Sequence, residues 1–254
     1  MSRRPNTADT QVPHGDARSA RGTQAAGPFP FDRPASLTDA AVIRANDWRA
    51  YTGLSYVEDH WSLKVWPPGF AAYYWYLTFA DAALSDMAAA CQQHLDTFHL
   101  NHVPPSGLHL TLVKVGAADT VGPSELSAFI AAAERTLADV ERFPLEIGPL
   151  TGSASAIRFS VAPWDRLVDL HASLRESVIS LRPTSPPKPT SHFRPHLGIA
   201  YHNQRREAAH IIKDVAALRD IQPVTVSVDT VKLVRLWRSD HQYRWDECAA
   251  IALR

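Results

Sequence analysis

The sequence predicts an α+β fold of two related lobes, and three observations carry that expectation. One order of elements, strand-helix-strand-helix-strand, occurs twice in succession, the mark of an internal repeat. Matched points in the two copies are similarly spaced, with 35 residues from Tyr74 to His109 and 39 from Ile157 to His196. After the second copy, two apolar runs, Thr230 to Trp237 and Tyr243 to Leu253, flank Arg238-Ser239-Asp240-His241 and read as a hairpin closing one sheet.

With 254 residues, 45% of them hydrophobic and 20% charged, the chain is long enough to bury a sizeable core as one large domain or two packed lobes. Lys and Arg number 26 and so do Asp and Glu, a balance that excludes a nonspecific electrostatic binder of duplex DNA or of acidic membranes. Two distant cysteines, Cys91 and Cys248, suggest neither a disulfide framework nor a metal knuckle, so a cytoplasmic setting is expected. The most apolar stretch, Ala71 to Ala80, is about half of the ~20 residues a membrane helix needs.

Residues 1–35 are rich in Pro, Arg, Gly and Ala without Leu, Ile, Trp or Tyr, and read as a disordered tail lacking the apolar core of a secretory signal. The domain is expected over residues 36–254, with lobes of roughly 70–150 and 151–254. A helix is expected over 37–51, N-capped by Ser36 or Thr38, and Trp61 to Trp66 alternates as a strand does. Tyr73 to Phe79, rich in aromatic residues, predicts a buried strand, then a helix over 81–98, a strand over 108–115, a helix over 123–142 and a strand over 144–150. The second copy has strands over 156–161, 196–201 and 224–228 around helices over 163–181 and 205–218.

Each copy places a histidine at the head of its central strand, in His109-Leu110-Thr111-Leu112 and His196-Leu197-Gly198-Ile199. Strand parity sets His109, Thr111 and Val113 on one face and Lys114 on the other; Arg194, His196, Gly198, Ala200 and His202 share a face from which Tyr201 is excluded. If the lobes face each other, the two imidazoles meet across a cleft. A side chain with a pKa near 6.5 serves as base in one form and acid in the other, so two of them suit metal-free displacement at phosphorus. Thr111 offers a hydroxyl to a nonbridging phosphate oxygen, and Arg194 a guanidinium.

These two tetrapeptides, together with Phe193-Arg194-Pro195-His196-Leu197-Gly198-Ile199-Ala200-Tyr201, resemble the two-histidine phosphoesterase superfamily, the 2'-5' RNA ligase-like proteins and cyclic phosphodiesterases, over about Tyr73 to Arg254. The resemblance implies mostly antiparallel sheets with outer helices and a substrate cleft between the sheets. It implies His109 and His196 as catalytic residues, Thr111 as phosphate ligand, and a 2',3'-cyclic phosphate on a nucleotide or RNA end as substrate, with 2'-5' ligation as a related activity. No cofactor, no metal and a monomeric protein are expected. Gly198 departs from the family, which has Thr or Ser there, and its N–H or a water is the expected substitute. The same departure motivates an alternative, a catalytically weak nucleotide- or RNA-binding protein; a hydrolase of another cyclic phosphate or phosphorylated small molecule is a third reading.

Among the other histidines, His94, His99, His102, His192 and His202 show no metal-ligand spacing, and His171 falls at core spacing on a helix. Phe193 and Trp237 carry faces suited to a nucleobase, with core packing the preferred reading for Trp237.

Overall fold

A computed structural model of the chain describes residues 32–63 and 65–254. Residues 1–31 of the expected tail lie outside them. The first helix, α1, spans Ala40–Thr52, and its N-cap is Asp39, not Ser36 or Thr38: the carboxylate accepts from the N–H groups of Ala41 and Val42 at 2.9 and 3.1 Å. Ser36 instead accepts from Thr38 and Asp39 just upstream.

After a two-residue strand, β1 (Tyr56–Val57), the expected strand over Trp61 to Trp66 is replaced by one helical turn, α2 (His60–Leu63). The reason is local capping and one distant anchor. Asp59 accepts from the Trp61 N–H at 3.0 Å, and the Trp61 indole donates to Asn101 Oδ1 at 2.9 Å.

From there the expected order holds: β2 (Ala71–Thr78), α3 (Ala82–His94), a short β3 (Asn101–His102), β4 (His109–Ala117), α4 (Pro123–Leu137), β5 (Phe143–Ser153), β6 (Ala156–Ala162), α5 (Asp165–Leu181), β7 (Leu197–Tyr201), a short β8 (Arg206–Glu207), α6 (Ala208–Ala217), β9 (Val224–Val228), β10 (Thr230–Ser239) and β11 (Gln242–Ala252). The closing hairpin turns on Asp240 and His241, both with positive φ, as a two-residue turn matched to strand twist requires.

The strands form two main antiparallel sheets, ordered β11-β10-β2-β4 and β3-β7-β6-β5-β9, and β1 pairs with β8. The chain therefore does not divide into lobes near residue 150. β5 joins the second sheet because the tight Ser153–Ala156 connection pairs it with β6, and the β10–β11 hairpin returns to flank β2 of the first. α4 and α5 pack on each other and reach β11 and β4, while α1 lies on β5 and β6 and α6 on β5. One continuous apolar core runs through both lobes, from Trp75, Val113 and Leu233 to Phe159, Val161 and Leu197. Tyr51 of α1 is buried against Gly152, where a Cβ would fall 2.2 Å from its ring, so only glycine admits the helix at that depth.

Both histidine-bearing strands, β4 at the edge of the first sheet and β7 in the second, carry a register shift at the same place relative to their histidines. In β4, Trp75 pairs with Val113 but Tyr76 with Thr111, leaving Leu112 as the extra residue; in β7, Arg158 pairs with Gly198 but Ile157 with Ala200, leaving Ile199. Each extra residue is the third after its histidine. A bulge inverts the alternation beyond it, so the fifth residue after each histidine, Lys114 and Tyr201, turns to the histidine's own face. The strict parity expected from the sequence fails for both.

Candidate active site

His109 opens β4 and His196 immediately precedes β7. Each ring is fixed by the same backbone device: Nδ1 lies 2.7 Å from the carbonyl oxygen of Gly107 in the first case and 2.8 Å from that of Arg194 in the second, in both two residues upstream. A carbonyl only accepts, so Nδ1 carries the hydrogen and Nε2 is the basic nitrogen of each ring. β4 and β7 touch, and the charge of His109 is felt at His196.

The surroundings differ. His109 stacks on Tyr76, with centroids 4.4 Å apart and planes 12° from parallel, and meets the edge of Trp245 at 5.3 Å. The Tyr76 hydroxyl is hydrogen-bonded to Thr111, its partner across the β2–β4 ladder. Burial among these rings holds the His109 imidazole below its ordinary pKa.

His196 sits instead beside a buried charge network. Asp47 of α1, fully buried, faces Arg194 at 3.1 Å and Arg158 at 3.6 Å and accepts from Ser160 at 2.8 Å. Arg158 is opposite Gly198 in the ladder and so shares its face. Both guanidiniums thus face the same carboxylate. Burial, and then the charge of Arg158, push the His196 imidazole down to about 3.

Arg194, read from the sequence as a phosphate ligand, has its guanidinium on Asp47, Asn46 and the Asp32 carbonyl oxygen, with 7% of the residue exposed. Its contribution to the site is the backbone carbonyl that orients His196. Gly198 is buried, and a Cβ built on it would lie 3.8 Å from the Tyr201 hydroxyl, which the bulge brings alongside. Tyr201 is itself buried, 5.5 Å from the Tyr243 ring and 4.2 Å from that of His60.

His171 is a core residue, bonded through Nδ1 to Thr190 at 3.0 Å and stacked on Phe193, which is thereby occupied away from the cleft. Trp237, expected in the core, is half-buried at the lip of a surface recess. Tyr76, Trp245, Arg158 and Asp47 were not singled out by sequence. Aromatic strand residues are indistinguishable from core by pattern, but Asp47 left a signal: a carboxylate four residues from both Ile43 and Tyr51, on the buried stripe of α1.

Two curled antiparallel sheets that meet at β4 and β7, each led by a histidine, define the fold of a two-histidine phosphoesterase. Residues 78–240 match the family model of the 2'-5' RNA ligase superfamily, and the chain belongs to that family. Among solved structures, a phosphoesterase aligns with TM-score 0.56 and 16% identity, TT0787 of Thermus thermophilus with 0.55 and 18%, and E. coli LigT in apo form with 0.54 and 17%; each alignment covers 72% of this chain and 98% of the other. LigT has also been solved with 3'-AMP, ATP, NADP+ and phosphate. No curated protein matches the chain in sequence. No helix among the described residues is long and apolar enough to cross a membrane.

Proposed function

We propose that the protein is a metal-independent phosphodiesterase that opens 2',3'-cyclic phosphates on nucleotides or RNA ends. The observation that carries this reading is the pair of imidazoles, each with Nδ1 tied to the carbonyl oxygen two residues upstream, a tautomer in which Nε2 is the basic nitrogen. Family membership supports phosphoester chemistry, and the nucleotides held by LigT support a nucleotide substrate.

In the proposed reaction His196, kept neutral by burial and Arg158, is the base. Nε2 of His196 takes a proton from water, the water oxygen bonds to phosphorus, and the bond from phosphorus to one ribose oxygen breaks. That oxygen takes the Nε2 proton of His109, which enters the step as the imidazolium and leaves it as the neutral Nδ1–H ring, and the product is a phosphate monoester. When Tyr76 donates to Thr111 Oγ, the Thr111 hydrogen is released for a nonbridging oxygen. The Tyr201 hydroxyl, beside the place where the family has Thr or Ser, is the second donor, and Gly198 leaves the phosphate room to reach it. The charge of Arg158, felt at His196, favours a phosphate anion there.

The test is hydrolysis of 2',3'-cyclic nucleotides and of a short RNA with a cyclic end, in EDTA, by the wild type and by His109→Ala and His196→Ala. Turnover lost in both variants supports the reading. A folded wild type that binds these ligands without turnover overturns it in favour of the binding protein that Gly198 suggests, and turnover only of other phosphoesters moves the substrate class.

A further inference from the structure

Beyond the cleft, the face of the first sheet that carries His109 continues as a row of aromatic and cationic side chains. Tyr76 and Thr111 are followed by the cross-strand pair Tyr74 and Lys114, brought onto this face by the bulge. At the far end, where Ala71 pairs with Trp237, a recess of about 520 Å³ opens. Its walls include Trp61, Trp66 and Phe70 together with Arg235 and Arg238; Asp240 is the one acid among its lining residues. Lys114 Nζ lies 5.5 Å from the Phe70 ring and the Arg238 guanidinium 4.4 Å from the Trp66 ring, so cations and aromatic faces are interleaved.

Trp61 and Trp66 belong to the segment that precedes residues 78–240, the span of the family match. The recess is thus built by residues that precede the matched span, set against the tip of the closing hairpin. From Thr78, opposite His109, to Ala71 at the recess, the strand covers about 23 Å at ~3.3 Å per residue. That separation is too long for one nucleotide and suits a strand of several.

Resting on the reading of the cleft given above, we infer that the recess binds a nucleobase of an RNA strand whose cyclic end lies between the histidines, with Lys114 on an intervening phosphate. Stacking on tryptophan is tolerant of base identity, and interleaved guanidiniums and an ammonium supply the phosphate contacts, which is how single strands are held without sequence readout. The enzyme is then selective for oligoribonucleotide ends over mononucleotides.

The test compares kcat/KM for a cyclic-ended oligoribonucleotide and for a 2',3'-cyclic mononucleotide in wild type, Trp66→Ala, Trp66→Phe and Lys114→Gln, each checked for folding by thermal melting. Stacking of one base is worth about 1–3 kcal/mol, or roughly 5- to 150-fold. Trp66→Ala is expected to remove a preference of that size with the mononucleotide rate unchanged, and Trp66→Phe to keep most of it. Lys114→Gln is expected to reduce the salt slope of oligonucleotide binding by about one phosphate contact. An oligonucleotide preference untouched by Trp66→Ala, or equal losses on both substrates, overturns the inference. Direct binding of the oligonucleotide to His109→Ala, with and without Trp66→Ala, separates the two claims: tryptophan-dependent binding without any wild-type turnover keeps the subsite and sinks the reaction.

Discussion

The strands led by His109 and His196 share one backbone design and differ in what surrounds it. Both tie Nδ1 to the carbonyl two residues back, and both bulge at the third residue after the histidine, so that the fifth turns inward. Around His109 lie the rings of Tyr76 and Trp245, and Thr111; around His196 lie Arg158, Arg194 and Asp47, with Gly198 and Tyr201 in the place of a second threonine. The difference teaches that backbone geometry sets where a proton can be exchanged, and the neighbours set which way it moves. An aromatic wall disfavours charge on His109 through desolvation alone, whereas His196 also faces a cation and stays neutral further into acid.

The largest effect that bears on this comparison is loss of either imidazole. General acid–base catalysis contributes about 10²–10⁴-fold per group, so His109→Ala and His196→Ala are each expected to lower kcat by that factor on a cyclic nucleotide, measured by product formation in single-turnover experiments. The double variant is expected to lose little more than either single one, because the two groups act in one step. Additive losses in the double variant would break the paired assignment.

The second effect tests the charge network. Asp47→Ala leaves two guanidiniums facing each other in the interior, and removal of one partner from a buried ion pair costs about 3–5 kcal/mol. Denaturant unfolding should register that loss, while removal of an exposed pair such as Arg254–Asp139 should cost less than about 1 kcal/mol. An Asp47→Ala protein as stable as the wild type would mean that Arg158 and Arg194 do not depend on α1 for compensation.

Most of the fold was legible because periodicity reports burial, and the elements from β2 to β11 are set by burial. The exceptions are places where a hydrogen bond decides. Asp59 and the Trp61–Asn101 contact coil a segment whose alternation reads as a strand, and strand pairing interleaves the lobes across residue 150. The histidines, Thr111 and Gly198 stand out as candidates because each occurs in a repeated frame. Tyr201 and Lys114 do not, since a one-residue bulge leaves no mark in the apolar pattern yet reverses every side chain beyond it. Arg194 was legible as a functional arginine but not in its role, because its partners, Asn46 and Asp47, lie on a helix about 150 residues earlier in the chain.

The third effect sharpens the glycine contrast. Loss of one oxyanion donor costs up to about 10²–10³-fold where the donor is strong, and a tyrosine standing in for a threonine is expected at the lower end. Tyr201→Phe should lower kcat about 10- to 100-fold with the fold intact. Gly198→Thr meets ordinary contact distances at its Cβ, 3.8 Å from the Tyr201 hydroxyl, and so is expected to fold. In the Tyr201→Phe background it should recover part of the lost kcat. Recovery identifies the hydroxyl as the shared element, and a Tyr201→Phe enzyme with full activity would remove Tyr201 from the site.

The smallest effect concerns acid stability, and it follows from how the His196 side of the molecule keeps its histidines neutral. Burial pushes His196 and His202 down to about 3 and His171 to about 4, in each case ahead of a neighbouring arginine's charge. The unfolded chain binds these protons near pH 6.5, the folded one only near pH 3–4, so between those values the unfolded state holds more protons and stability falls as pH falls. Well above pH 6.5, from about pH 7.5, neither state is protonated and the contribution is complete. Between pH 7 and pH 6 the three together lose about 2 kcal/mol, enough to lower Tm by about 4–8 °C in a chain of this size. Phosphate bound between the histidines should reduce this slope, since an anion beside His109 and His196 lets the folded state take up the same protons. Thermal melts at pH 6 and pH 7, with and without phosphate at constant ionic strength, check both statements. A phosphate-independent slope would assign the acid sensitivity to His171 and His202 in the interior and not to the cleft.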